Sequence, residues 1–553
     1  MSEIQVSCKG RKIECPYGTV AEAILGDLGI TGGAIVAIRV NNEIRPLQTR
    51  LTANSSLEPV LPNTREGAMI YRRSLAFLLA MAAQKLFPYR SLHIGHSLGN
   101  SYYYAFSEGI APDEEQIAKL QQEMESLVRQ NLPIMVKYLT FEEALAVFNA
   151  NTQPDTVMLL NQRGASQIKV NECSNYLDIY VEPLVPHTGM LSVFEIMQYQ
   201  EGFLLRFPSV SKGMIIGPFV DEPKIFSVYN EYKKWGRIVG VRVVGELNAH
   251  VVNRTVRDYV RIAETHQARK LAEIAGQIDE EKDRIRMILL AGPSSSGKTT
   301  SAKRLSIELQ VLGIKPVAIS LDDYYMGKEL TPKNEKGEPD YECLEALDIA
   351  LLNEHLQALY RGDEITLPAY DFKTGTRMPS GGKKIRLGDR RTVLILEGIH
   401  ALNDALTHGV GRATKFKLYV SALTQLNLDD HNRIPTSDNR LLRRMVRDYQ
   451  FRGKDAAGTI KMWSDVQAGE RKHIFPFQNS ADAAFNTALD YELSVLKYFA
   501  EPLLRAVKPY QYEYAEAVRL LSFLENFAPI PPHYVPGTSI LREFIGDSEF
   551  KYS

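Results

Sequence analysis

The sequence predicts an α/β fold: a C-terminal phosphate-loop unit built on a doubly wound parallel sheet, preceded by two smaller mixed units. Three observations carry this. The apolar run Met287 to Ala291 leads directly into Gly292-Pro-Ser-Ser-Ser-Gly297-Lys298-Thr299, after which Thr300 to Leu312 reads as a helix ending at Gly313. Apolar runs then alternate with helical patterns to the end of the chain, the pattern of parallel strands joined by crossover helices. Upstream, turn residues and short alternating runs mark smaller units of a different kind.

Taken in order, residues 1–62 read as a small β-rich unit. Ile4-Gln5-Val6 and Ile35 to Val40 are expected strands, Asn41-Asn42 a hairpin turn, Val20 to Leu28 a helix, with Pro59 and Pro62 closing the unit. Residues 63–250 follow as an α+β unit: an apolar helix from Ser74 to Leu86, an aromatic strand from Tyr102 to Phe106, and a charged helix from Asp113 to Asn131. Residues 251–284 read as a helical connection, the long polar helix starting near Val256, and 285–553 as the phosphate-loop unit.

Composition narrows the classes. A chain of 553 residues exceeds what one hydrophobic core supports, so several domains are expected. Sixty-five basic and 66 acidic residues leave a net charge of −1, so no global field draws the chain to nucleic acid or membrane. Cys8, Cys15, Cys173 and Cys343 are scattered without a CxxC pair, which favours a reducing cytoplasm. The start Met-Ser-Glu-Ile-Gln lacks the basic and apolar regions of a signal peptide, and the longest apolar run, Leu75 to Ala83, falls well short of the roughly 20 residues that span a bilayer. A soluble cytoplasmic protein is expected.

The stretch Gly292 to Thr299 matches G-x-x-x-x-G-K-[ST] in the strand–loop–helix setting this motif requires. Its glycines let backbone N–H groups turn inward around phosphates, and the helix N-terminus adds partial positive charge. Lys298 is expected on the terminal phosphates and the Thr299 hydroxyl on magnesium. Gly292, Ser294, Ser295, Ser296, Gly297, Lys298, Thr299 and Thr300 thus form the candidate ATP-binding set. Farther on, Val317 to Leu321 reads as a strand ending in Asp322-Asp323, and Thr392 to Leu396 as a strand ending in Glu397. Carboxylates at the C-terminal ends of parallel strands face the ligand crevice. There Asp322 can accept a proton from an acceptor hydroxyl, and Glu397 can orient a magnesium shell. Arg440, Arg443, Arg444 and Arg447 share one helix face at i, i+3, i+4, i+7 spacing, with Arg452 and Lys454 beyond it. A solvated basic face and a lid over transferring phosphates are the two readings of that spacing, and guanidinium chemistry favours the lid.

Together, Gly292 to Thr299, Asp322-Asp-Tyr-Tyr325, Tyr370-Asp-Phe372, Glu397-Gly-Ile399 and the run Arg440 to Asp448 resemble the uridine kinase branch of the phosphoribulokinase and uridine kinase superfamily. The resemblance implies an ATP- and Mg2+-dependent kinase acting on a nucleoside 5′-hydroxyl. It implies Asp322 as base, with Lys298 and Arg447 also serving catalysis, and Thr299, Asp322 and Glu397 as metal ligands. Tyr341, Glu342, Tyr370, Phe372 and Arg447 would line the acceptor site, and Arg444 and Arg452 would contact the nucleotide. Two departures stand out: Gly375 occupies the position of a base-contacting histidine, and Glu342 that of a ribose-binding aspartate. Losing a polar base contact weakens discrimination, so a sugar or sugar phosphate remains an alternative acceptor.

The first two units resemble the N-terminal half of threonyl-tRNA synthetase, a TGS domain of β-grasp type and an editing domain. The carrying residues are Asn100 to Phe106, Met124, Asn131-Leu-Pro133, Phe141 to Leu145 and Pro186 to Gly189. The family's editing His, His, Cys and His positions hold Arg73, Phe77, Tyr180 and Leu184, so hydrolytic editing is not expected. These units also admit a nucleotide-dependent RNA-binding regulator, which the neutral charge opposes. A GTPase is disfavoured, because Thr414-Lys-Phe-Lys417 has lysine where a guanine-reading aspartate belongs. His93 and His96 read as structural, with no third metal ligand at a sensible spacing. Neither the oligomeric state nor the role of the N-terminal units is written in the sequence.

Overall fold

A computed structural model describes residues 3–30, 35–107, 109–180, 183–209, 213–334, 337–371, 374–378, 382–388 and 391–552. Near the N-terminus, five strands form one sheet in the order Arg11–Pro16, Glu3–Cys8, Ser55–Val60, Ala37–Val40, Glu43–Arg45. Glu3–Cys8 alternates strictly, burying Ile4, Val6 and Cys8 against Ile24 and Leu25 of the helix Ala21–Asp27. The turn at Asn41-Asn42 is present, with φ 48° and 60°, while the strand before it begins at Ala37 rather than Ile35.

The helix Arg65–Leu86 starts where Thr64 Oγ1 accepts from the Gly67 N–H at 3.1 Å, and it is longer than its apolar run suggested. It packs on an antiparallel sheet ordered Glu195–Tyr199, Gly202–Arg206, Ser101–Phe106, Leu92–Ser97. The helix Glu114–Gln130 opens on a reciprocal capping box between Asp113 and Gln116. Beside it lies a three-stranded sheet of Met135–Thr140, Gln167–Cys173 and Tyr176–Asp178. Three of the four editing-type positions meet an apolar interior here, while Arg73 is half-buried. Phe77, Tyr180 and Leu184 are buried, and the Phe77 ring stands edge-on to Tyr176 at 5.1 Å and Tyr180 at 5.9 Å.

The C-terminal sheet has five parallel strands in the order Lys315–Ser320, Thr392–Glu397, Met287–Ala291, Lys415–Ser421, Ala483–Asn486. Met287–Ala291 lies centrally and is buried throughout, as expected of a strand covered on both faces. The helix Val256–Glu280 is more than a connection. It contributes Tyr259, Val260, Leu271 and Ile278 to the same apolar cluster as the sheet, and its Gln267 accepts from Arg304 of the helix Lys298–Val311 at 2.7 Å. Among the described residues, no helix is long and apolar enough to cross a membrane.

Candidate active site

The phosphate-type loop leaves the central strand and turns into Lys298–Val311 at Gly297, whose φ of +79° only glycine adopts without strain. Close approach matters as well, since a Cβ at Gly297 would stand 2.6 Å from Ile540 Cγ2. Ser295 and Ser296 are buried, and their hydroxyls have no hydrogen-bond partner among the described residues. Buried unmatched hydroxyls are costly, and they fit a loop shaped around an oxygen-rich ligand. Lys298 Nζ folds back onto the Pro293 carbonyl at 3.2 Å.

Three carboxylates from distant segments enter this loop. Thr299 Oγ1 donates to Glu397 Oε2 at 3.4 Å. The Ser294 N–H donates to Glu470 Oε1 at 2.9 Å. Thr300 gives both its N–H, at 3.2 Å, and its hydroxyl, at 2.5 Å, to Glu543 Oε2, while its hydroxyl also meets that of Tyr552 at 2.9 Å. The helix N-terminus attracts anions through its unpaired N–H groups and its dipole, and Glu543 sits there as one. Neither Glu470 nor Glu543 carries a sequence signal: they lie 176 and 243 residues from their loop partners.

Asp322 follows the edge strand Lys315–Ser320, but Leu321–Tyr324 is a 3-10 turn rather than the expected continuation of the strand. Ser320 Oγ sets it by accepting from the Asp322 N–H at 3.3 Å. The turn keeps Asp322 within electrostatic reach of Glu397 and Arg452. Burial pushes the Glu397 carboxyl up to about 8, with Asp322 and Glu543 adding to the rise and Lys298 and the Thr299 hydroxyl opposing it. Burial, then Asp322, raises Asp323 to about 6. A hydroxyl and two carboxylates make a hard-oxygen set suited to magnesium. The buried, charge-crowded Glu397 is the group a cation would relieve.

The arginine helix Thr436–Arg452 corrects both readings of its spacing. Arg440, Arg443 and Arg444 are buried with Leu441, Leu442, Met445 and Val446, so the helix has neither a solvated basic face nor a detached lid. Carboxylates make that burial tolerable. Arg440 forms a fork on Glu470 at 2.5 and 2.7 Å, and Arg443 binds Glu492 at 2.5 Å. Arg440 also reaches the Ser294 carbonyl at 3.0 Å, and Arg444 its hydroxyl at 2.7 Å, so the helix is seated on the loop. Arg444, Arg447 and Arg452 surround the buried Asp448 at 3.2, 3.1 and 3.7 Å.

On the acceptor side, Tyr325, Tyr341 and Tyr370 form an aromatic wall, with Tyr325 ring centroids 6.1 and 5.6 Å from the other two. Gly375, with φ +69°, points its missing Cβ at the Tyr341 and Tyr370 hydroxyls, 3.8 Å away. Glu342 packs on Gly469, and burial followed by Glu470 raises it to about 7, against Arg444 and Lys298. Phe372 lies outside the described residues.

A central parallel strand, a GxxxxGKT loop and acids at the tips of the two strands beside it on one side define a P-loop phosphotransferase. Residues 287–494 match the model of the phosphoribulokinase / uridine kinase family. The N-terminal region is similar to threonine–tRNA ligases. That of Aquifex aeolicus is 28% identical over 203 residues, 35% of this chain and 31% of the relative. That of Thermoplasma volcanium is 28% identical over 221 residues, 40% and 33%. The chain spans about a third of the length of these curated relatives. Similar solved structures include a "possible uridine kinase" from Bacillus stearothermophilus, at 21% identity and TM-score 0.24, covering 37% of this chain and 89% of that one. Another is D-glycerate 3-kinase from Cryptococcus neoformans, at 15% identity and TM-score 0.23, covering 46% and 87%.

Proposed function

We propose that the C-terminal unit transfers the γ-phosphate of ATP to a hydroxyl of a small molecule, with a nucleoside 5′-hydroxyl as the acceptor. The carrying observation is the Thr299–Glu397 contact at the open ends of adjacent parallel strands, with Asp322 and Lys298 within electrostatic reach of Glu397. Bound magnesium would neutralise the phosphate oxygens there, held by Thr299, Glu397 and Asp322. Lys298 swings from the Pro293 carbonyl to the terminal phosphates. Asp322 accepts the proton of the attacking hydroxyl, a role worth about 10²–10⁴-fold in rate. Arg444, Arg447 and Arg452, gathered around Asp448, supply positive charge toward the transferring group. Tyr341, Glu342 and Tyr370 hold the acceptor, Phe372 adjoining them in sequence. Nucleotide entry releases Thr300 from Glu543.

One observation favours a second acceptor class. Gly375 offers no side chain to read a base, which leaves room for a sugar or sugar phosphate against the tyrosine wall. Steady-state kinetics over nucleosides, sugars and sugar phosphates decide between them. A nucleoside with the highest kcat/KM supports the first reading, and a sugar exceeding every nucleoside replaces it. The N-terminal units act as binding or assembly modules rather than editing hydrolases, because Arg73, Phe77, Tyr180 and Leu184 stand where the editing family has His, His, Cys and His.

A further inference from the structure

One cluster of ligating side chains lies outside the phosphate crevice, where the editing-like unit meets the C-terminal unit. His93 comes from the strand Leu92–Ser97, Asp155 from the first turn of the helix Pro154–Arg163, and Asp430 from the loop before the arginine helix. One ligand atom from each lies within 4.8 Å of the other two. The loop is fixed from both sides: the Ile94 N–H donates to the Asp430 carbonyl at 3.0 Å, and Asn427 Nδ2 to the Ile94 carbonyl at 2.7 Å.

The carboxylates here are unequally satisfied. Asp178 accepts from the Tyr176 hydroxyl and pairs with His431, each at 2.8 Å. Asp429 accepts the backbone N–H groups of His431 and Asn432 at 3.0 and 2.8 Å. Asp430 is 1% exposed, and its Oδ2 accepts from the Thr156 N–H at 3.2 Å and hydroxyl at 3.4 Å. Its Oδ1 has no hydrogen-bond partner among the described residues and faces His93 Nδ1 at 3.5 Å. Asp155 is met by Arg242 at 3.5 Å, and the His93 side chain, 22% exposed, opens the cluster to solvent.

We propose that His93, Asp155 and Asp430 form a binding site for a divalent transition-metal cation of the Zn2+ or Mn2+ kind, clamping the editing-like unit to the C-terminal unit. One imidazole and two carboxylates suit such ions. Ligand atoms around a metal at about 2.1 Å stand roughly 3–4 Å apart, so small side-chain rotations close the site. The ion satisfies the orphan Asp430 oxygen and displaces Arg242 from Asp155. Asp430 precedes by six residues the helix whose arginines seat the phosphate loop, so occupancy restrains that helix's entry.

The test is Mn2+ titration of the full chain, stripped with chelator and free of nucleotide, read by electron paramagnetic resonance. Zn2+-dependent thermal unfolding and the Co2+ absorption spectrum accompany it. The wild type is expected to take one ion that survives in Glu397→Gln, which alters the phosphate-loop set. His93→Gln and Asp430→Asn should each weaken that ion at least tenfold and abolish the metal-induced rise in Tm. Circular dichroism establishes that each variant is folded. Should Asp430→Asn fail to fold, the partly exposed His93→Gln decides, together with the wild-type Co2+ spectrum, which must show nitrogen ligation. No ion beyond one lost in Glu397→Gln, or wild-type affinity in folded His93→Gln, overturns the proposal.

Discussion

Replacing Glu543 by glutamine is expected to tighten ATP binding. Its Oε2 takes the Thr300 N–H at 3.2 Å and hydroxyl at 2.5 Å, the donors an incoming phosphate needs. Hydrogen bonds to a charged partner contribute about 1.5–3 kcal/mol and neutral ones about 0.5–1.5, so the amide keeps the contact and loses roughly 1 kcal/mol of it. Loss of a negative charge at the helix N-terminus removes about 0.3–1 kcal/mol more. Glu543 is only half-buried, which puts solvent screening on both figures. The sum, about 1–2 kcal/mol, corresponds to a roughly 5–30-fold lower Kd for ATP. Calorimetric titration with a non-hydrolysable ATP analogue measures it. An unchanged or weaker affinity in a folded Glu543→Gln variant would mean that the carboxylate does not compete with phosphate, refuting the placement of the nucleotide at Thr300.

Two further outcomes follow from the acids. Asp322→Asn should lower kcat by about 10²–10⁴-fold with little change in ATP affinity, and Asp323→Asn should be milder; steady-state kinetics of both variants check this, and the reverse order would move the base by one residue. Glu397, raised to about 8 from 4.5, binds a proton in the folded state that the unfolded chain has lost across that interval. Its contribution to stability is therefore full below pH 4.5 and declines as pH rises toward 8. Thermal unfolding of the nucleotide-free protein from pH 5 to 8 should show a fall in Tm that Glu397→Gln reduces by several degrees, and an equal fall in both would show that Glu397 is ionised throughout.

What was legible in the sequence was local. The strand Met287–Ala291, the loop and the helix after it announce themselves by apolar run, glycine placement and period within about 25 residues. Glu397 followed from a strand end, and Phe77 and Tyr180 from an alignment of positions. Contacts between remote segments left no such trace. The spacing of Arg440, Arg443 and Arg444 shows that they share a face, yet whether that face meets water or Glu470 and Glu492 depends on helices folded over it. Asp322 was found, while its 3-10 turn was not, because the Ser320 hydroxyl that sets it competes with strand pairing. His93 seemed to lack a third ligand because its partners lie 62 and 337 positions farther along the chain.

The central claim is that Gly292 to Thr299 cradles ATP for phosphoryl transfer, and Lys298 exposes it most directly. The measurement is transfer of radiolabelled γ-phosphate to the best acceptor from a nucleoside and sugar panel, by wild type and by Lys298→Ala, with circular dichroism on each. Transfer by the wild type and its loss in a variant that stays folded are expected, since among the described residues the one hydrogen bond Lys298 makes is to the Pro293 carbonyl. Wild-type turnover in Lys298→Ala, or no transfer by the wild type to any acceptor, would contradict the claim.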